Sequence, residues 1–159
     1  MIKRAGVPEQ GCYPCHQAAA ADPPPRERIL RTDHWRVVHT FEAGLPGWLV
    51  LLPLRHVTSL AELGPAEAAE LGPLIVDLSK ALVAEFGCSK TYVMQFAEAP
   101  GFGHVHFHVV PRMPDLPAEL RGPRVFGALS GTPAADAATT QAHDRLAEAL
   151  TARLATIRA

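Results

Sequence analysis

Between residues 26 and 53 the chain alternates short apolar runs with turn residues. RERILRT and WRVVHTF read as two short strands. LPG, at 45–47, is a turn, and WLVLLP, at 48–53, is a nearly continuous apolar run of strand length, the mark of a buried strand. From 59 to 87 the period becomes helical. Ser59 caps a short first turn through Leu63, and Gly64-Pro65 restarts the chain with a proline suited to a first helical position. Leu71, Leu74, Ile75, Leu78 and Leu82 then recur at spacings of three and four, which gives one apolar face. Pro73 falls inside this run and either kinks the helix or marks its true start. Gly87 is a C-terminal stop. TYVMQFA (91–97) is a strand, AEAPGFG a loop, and HVHFHVVP (104–111) the most regular strand in the chain. Residues 112–133 are rich in Pro and Gly and read as a long ordered loop. Thr132-Pro133 opens a C-terminal helix to Ala159, whose stripe of Leu146, Leu150, Leu154 and Ile157 docks on its own domain or on a twin subunit.

Strands, then a helix, then more strands suggest an α+β fold. The link from 41 to 48 is too short for a parallel crossover, so the sheet is expected to be antiparallel. Residues 1–25, which include AAAADPPP, show no periodicity. A chain of 159 residues suits one domain, and 48% apolar composition is enough for a core.

Charge and targeting narrow the function classes. The formal charge of −1 gives no basic field to hold a nucleic-acid backbone, though a nucleotide could occupy a local pocket. No apolar run approaches the ~18 residues of a membrane helix. The N-terminal MIKRAGVPEQGC has charges without an apolar stretch behind them, which is not a secretory signal. A cytoplasmic location is expected.

Two stretches carry candidate chemistry. GCYPCHQ, at 11–17, contains C-x-x-C-H, the string of covalent haem attachment and equally half of a zinc site. Haem attachment of this kind normally follows export, which disfavours it here. A redox pair should sit between a strand and a helix, and no strand precedes Cys12. Cys88 reads as a small packing residue. In HVHFHVV, successive side chains point to opposite faces. His104, His106 and His108 therefore share one face, and Val105, Phe107 and Val109 the other. Three imidazoles in register are costly to bury without partners. They could all bind one metal, or they could split the work, one ligating a metal and the others handling a phosphate. The second reading completes the cysteine pair: a structural zinc wants four Cys and His ligands, and Cys12, Cys15, His56 and His104 would form such a set. A zinc clamp would also pin the core-poor first 25 residues to the sheet.

These residues resemble the histidine triad (HIT) family of nucleotide hydrolases and transferases, in its zinc-bearing type. HVHFHVV fits the family's His-φ-His-φ-His-φ-φ signature, with φ apolar. GWLVLLPLRHVTSL is similar to its Gly-His-x-Leu-Val-Ile-Pro-x-x-His stretch. The likeness spans roughly residues 12–112. It implies an antiparallel sheet of about five strands with one main helix packed on it, commonly in a homodimer. Residues 1–112 would be the HIT-like domain with its N-terminal zinc clamp, and residues 113–159 a loop and C-terminal helix packed on the same domain. His106 would be the nucleophile and His108 would contact the phosphate and help balance its charge, with Cys12, Cys15, His56 and His104 holding Zn2+. The substrate would be a nucleotide or nucleoside phosphate derivative, such as a phosphoramidate or dinucleoside polyphosphate. Two departures stand out. Pro100 replaces the family's phosphate-contacting Gln, and Gln95 is the nearest amide that could reach in. Gly47-Trp48 replaces Gly-His, which takes a polar partner from the triad. Trp48 would stack on a base or fill space, the latter being favoured. The missing Gln would also suit a non-catalytic nucleotide- or phosphate-binding protein of the same fold.

Overall fold

A computed structural model describes residues 10–40, 44–129 and 137–159. Five strands form one antiparallel sheet: β1 (Leu30–Arg31), β2 (Trp35–His39), β3 (Leu49–Pro53), β4 (Lys90–Met94) and β5 (Phe107–Arg112), in the spatial order β1-β2-β3-β5-β4. Among the described residues three α-helices accompany it: α1 (Tyr13–Ala18), α2 (Pro65–Phe86) and α3 (Ala137–Ile157). The fold is α+β, as the strand and helix pattern suggests.

Both faces of the sheet are covered, so every position of β2 and β3 is buried. That explains the unbroken apolar run of β3. On one face Trp35, Val37, Leu49, Leu51, Phe107 and Val109 meet Leu74, Leu78 and Leu82 of α2 and Leu150 and Leu154 of α3. On the other face Val38, Val50, Leu52 and Val110 meet Trp48 and Val125. α3 is held to its own chain by that shared core and by ion pairs Arg153–Glu85 (2.9 Å), Arg158–Asp77 (3.0 Å) and Arg26–Asp144 (2.9 Å). The expected helix start at Thr132-Pro133 lies outside the described residues.

Local chemistry sets the element ends. The Ser59 hydroxyl accepts from the Ala61 N–H (3.3 Å), and the Glu62 carboxylate accepts from the Ser59 N–H (2.9 Å), closing a short 3₁₀ turn at Leu60–Glu62. α2 begins at Pro65, with Glu67 accepting the Gly64 N–H at 2.6 Å, and ends at Gly87, whose φ of 63° is the left-handed cap. Pro73 is therefore interior to α2 and not its start. It lies on the solvent side, where water can serve the carbonyl it leaves without a donor.

Three expected strands are shorter than their sequence pattern. RERILRT contributes only Leu30–Arg31, because Pro25–Glu27 forms a 3₁₀ turn. TYVMQFA pairs from Lys90 to Met94, and Ala97 beyond it takes a φ of 58°. The triad strand begins at Phe107 and not at His104. The cause is the end of β3 at Pro53: beyond it the N–H of Val105 finds Val57 O (2.8 Å) in the following loop. The expected loop at 112–133 carries two 3₁₀ turns, Ala118–Leu120 and Gly122–Ala128, and the second puts Val125 into the second core.

Candidate functional site

Cys12 and Cys15 are three residues apart at the start of α1, so their thiols lie on one side of its first turn. Two contacts fix that turn. The N–H of Tyr13 donates to Gly101 O (3.0 Å), and the Arg36 guanidinium donates to Pro14 O (2.9 Å). The ligand loop is thus tied to the segment before the triad and to β2. His56 arrives from the turn after β3. His104 donates Nε2–H to Pro53 O (3.0 Å), which leaves its Nδ1 lone pair facing the thiols. Burial, with the charges of His56 and then Arg36, pulls His104 down to about 4, so the ring is neutral at pH 7.

The four ligand atoms lie within 4.8 Å of one another. Cys15 Sγ is 3.3 Å from His56 Nδ1 and 3.5 Å from His104 Nδ1, and Cys12 Sγ is 3.8 Å from His104 Nδ1. Such separations are the edges of a tetrahedron whose corners sit about 2.0–2.3 Å from its centre. The Pro53 carbonyl behind His104 is the outer-shell acceptor that a ligating imidazole commonly has. Residues Cys12, Cys15, His56 and His104 could hold a metal ion, and their donors suit one.

The next two histidines have different partners. His106 donates Nδ1–H to the His104 carbonyl (2.7 Å), so in the neutral ring the lone pair is on Nε2. His108 accepts at Nδ1 from the indole N–H of Trp48 (2.9 Å), so its own proton sits on Nε2. The two rings meet edge to face at 4.9 Å. Burial, and then the nearby His106, pulls His108 down to about 4 and keeps it neutral at pH 7.

Both rings line a cavity of about 370 Å³ on the second face of the sheet. Its bed is Val38, Val50 and Leu52, and aromatic rings of Phe96, Phe102 and Phe126 border it. The volume is that of a small-molecule site. Phe126 packs on Trp48 (5.6 Å) and His108 (5.0 Å), so the 3₁₀ turn after β5 helps roof the last histidine. Trp48 itself is fully buried and does not line the cavity, and its indole serves His108 as a polar partner. Gln95 is half-buried and is likewise absent from the lining. Residues 97–99 and 102, which do line it, bring two alanines, Glu98 and Phe102.

The profile of the HIT domain matches residues 23–115, more than half of the chain. The chain belongs to the HIT family. Solved structures agree on the fold. A zinc-bound histidine triad family protein from Mycobacterium smegmatis matches with a TM-score of 0.64 at 18% identity, over 92% of this chain and 95% of that one. A histidine triad protein from Bradyrhizobium japonicum gives 0.64 at 24% identity, over 80% and 89%. A HIT-like protein from Bartonella henselae, described as involved in cell-cycle regulation, gives 0.63 at 18%, over 80% and 85%. Within this HIT chain, sequence reasoning overlooked the cavity residues Glu27 and Arg36. Arg36 had a signal: it is the one formal charge in the strand WRVVH, every position of which is buried. No helix among the described residues is long and apolar enough to cross a membrane.

Proposed function

We propose that this chain is a hydrolase or nucleotidyl transferase acting on nucleoside phosphate derivatives through a covalent nucleotidyl-histidine, with a structural zinc in the Cys12, Cys15, His56, His104 cluster. The observation that carries the reading is His106: its Nδ1–H is committed to a backbone carbonyl, so in the neutral ring the lone pair is on Nε2, at the cavity wall. That lone pair would attack the α-phosphorus and expel the leaving group, and water or an acceptor phosphate would then break the P–N bond. His108 would offer a neutral Nε2–H to a phosphoryl oxygen, an oriented donor where charge develops. Gln95 and Trp48 have at most indirect roles, since neither borders the cavity. Zinc would cross-link α1 to the sheet. A cytoplasmic homodimer is part of the proposal, with residues 113–159 belonging to the same domain as residues 1–112.

One observation favours binding without turnover: the lining between 97 and 102 has no amide side chain, and Pro100 stands where the family carries its Gln. A single experiment separates the readings. The protein is mixed with adenosine and guanosine phosphoramidates and dinucleoside polyphosphates, quenched with base, and weighed by mass spectrometry. The enzyme gives an acid-labile nucleotidyl adduct that His106→Ala does not form. Nucleotide binding without adduct or turnover leaves the binding protein.

A further inference from the structure

The wall of the cavity away from the histidines holds a buried charged pair. Arg36 and Glu27 side chains are 7% and 9% exposed, and Arg36 Nη1 is 3.5 Å from Glu27 Oε2. Both line the cavity. Burial raises Glu27 and lowers Arg36 against their mutual attraction, so the pair is held at a cost to both charges. Arg36 has five N–H donors, of which one is used on Pro14 O. The pair meets through one nitrogen and one oxygen at 3.5 Å and not through a two-bond fork, so a second carboxylate oxygen and further guanidinium N–H groups are left for a ligand of the cavity both residues line.

Their placement follows from the sheet register. Arg36 pairs with Leu52 on β3. Leu51 pairs with Phe107, the last pair of β3 with β5, and the same register continued by one residue would set Leu52 beside His106, which lines the cavity with it. Arg36, Leu52 and His106 therefore form one row on the cavity face. Two strand spacings put the Cα atoms of Arg36 and His106 about 10 Å apart. That is comparable to the reach from the phosphate to the base of a nucleotide, with the apolar bed between.

Resting on the nucleotide reading above, we propose that Glu27 and Arg36 read the hydrogen-bonding edge of the base and select guanine. A carboxylate needs N–H donors, and guanine offers two adjacent ones at N1 and N2. The guanidinium needs an acceptor, and guanine O6 and N7 lie beside those donors. Adenine would turn its unprotonated N1 toward the carboxylate and has no carbonyl for the guanidinium. A buried polar reader left unmatched rejects the wrong ligand strongly.

The test measures calorimetric Kd values of GMP, IMP and AMP on the wild type and on Glu27→Gln. GMP is expected to bind at least tenfold more tightly than AMP, with IMP, which lacks the N2 amino group, between them. Glu27→Gln should bring GMP down to the level of IMP while leaving AMP within threefold. Equal binding of GMP and AMP by the wild type overturns the assignment without needing any variant, and so does a GMP preference that survives Glu27→Gln. Failure of the wild type to bind any of the three overturns the underlying nucleotide reading as well.

Discussion

His104 and His106 stand two residues apart, and each donates one ring proton to a backbone carbonyl. They donate from opposite nitrogens. His104 donates from Nε2 to Pro53, which turns Nδ1 toward two thiols, whereas His106 donates from Nδ1 to His104 itself, which turns Nε2 to the cavity. Under the proposed function the same side chain would thus be a ligand in one place and a nucleophile in the other. The division comes from which carbonyl lies within reach, and not from the imidazoles. If so, the two regions should fail separately.

The largest effect belongs to the cavity side. His106→Ala should lower turnover of a nucleoside phosphoramidate by about 10³-fold or more, as loss of a nucleophile does. It should keep one metal per chain and an unchanged melting temperature within a few degrees. Turnover equal to wild type would remove His106 from the role, and loss of metal would mean that the regions are not separable.

The metal side should break the other way. Cys12→Ser should reduce bound zinc sharply, read by atomic absorption on purified protein. Structural zinc contributes an apparent ~10–16 kcal/mol in zinc-finger peptides. Here the two apolar clusters stand without it, so the loss should be a few kcal/mol. At about 2–4 °C per kcal/mol, the melting temperature should fall by roughly 10 °C. Wild-type protein that carries no metal, or a variant that keeps its full share, would end the clamp.

Acid should sharpen the comparison by acting on histidines outside the cluster. Burial, and then the adjacent His143, pulls His39 down to about 4, and His108 sits there too. An unfolded histidine titrates near 6.5, so between pH 6.5 and 4 the unfolded chain takes up protons that the folded chain refuses. The stabilisation is complete above pH 6.5 and is lost as pH falls through 4, by roughly 3 kcal/mol per ring. NMR should find the His39 and His108 rings unprotonated from pH 8 to 5.5, while the urea midpoint falls over the lower part of that range. Ring signals with midpoints near 6.5 would contradict it.

How far the sequence reached follows the same lines. The cluster of Cys12, Cys15, His56 and His104 was legible in the C-x-x-C spacing and the histidines that follow β3 and open the triad, and the common cavity side of His106 and His108 in their spacing of two. The start of β5 at Phe107 was not, since it depends on where β3 ends at Pro53. Nor was the pairing of Arg36 with Glu27, which needs the 3₁₀ turn at Pro25–Glu27 to bring the carboxylate over the sheet. Trp48 read as a lost polar partner because its residue type suggests packing. Only the fold shows its N–H 2.9 Å from a ring 60 positions away.

Trp48→Phe is the finest cut, because it keeps an aromatic ring in the core and removes that N–H. A donor to Nδ1 favours the neutral imidazole, so without it His108 should protonate more readily and its NMR midpoint should rise. Its proton would also be free to move from Nε2 to Nδ1, which costs the oriented donor toward the phosphate. Turnover should fall by about tenfold, and stability by roughly 2–4 kcal/mol from the hydrogen bond lost at a buried ring and the cavity left by the smaller side chain. Zinc content should not change, since the partners of the Trp48 ring are His108 and Phe126, which are not members of the Cys12, Cys15, His56, His104 cluster. A variant that loses stability while His108 keeps its midpoint and turnover is unaltered would reduce the indole to filling, and the histidine triad would then lack a polar partner at this position.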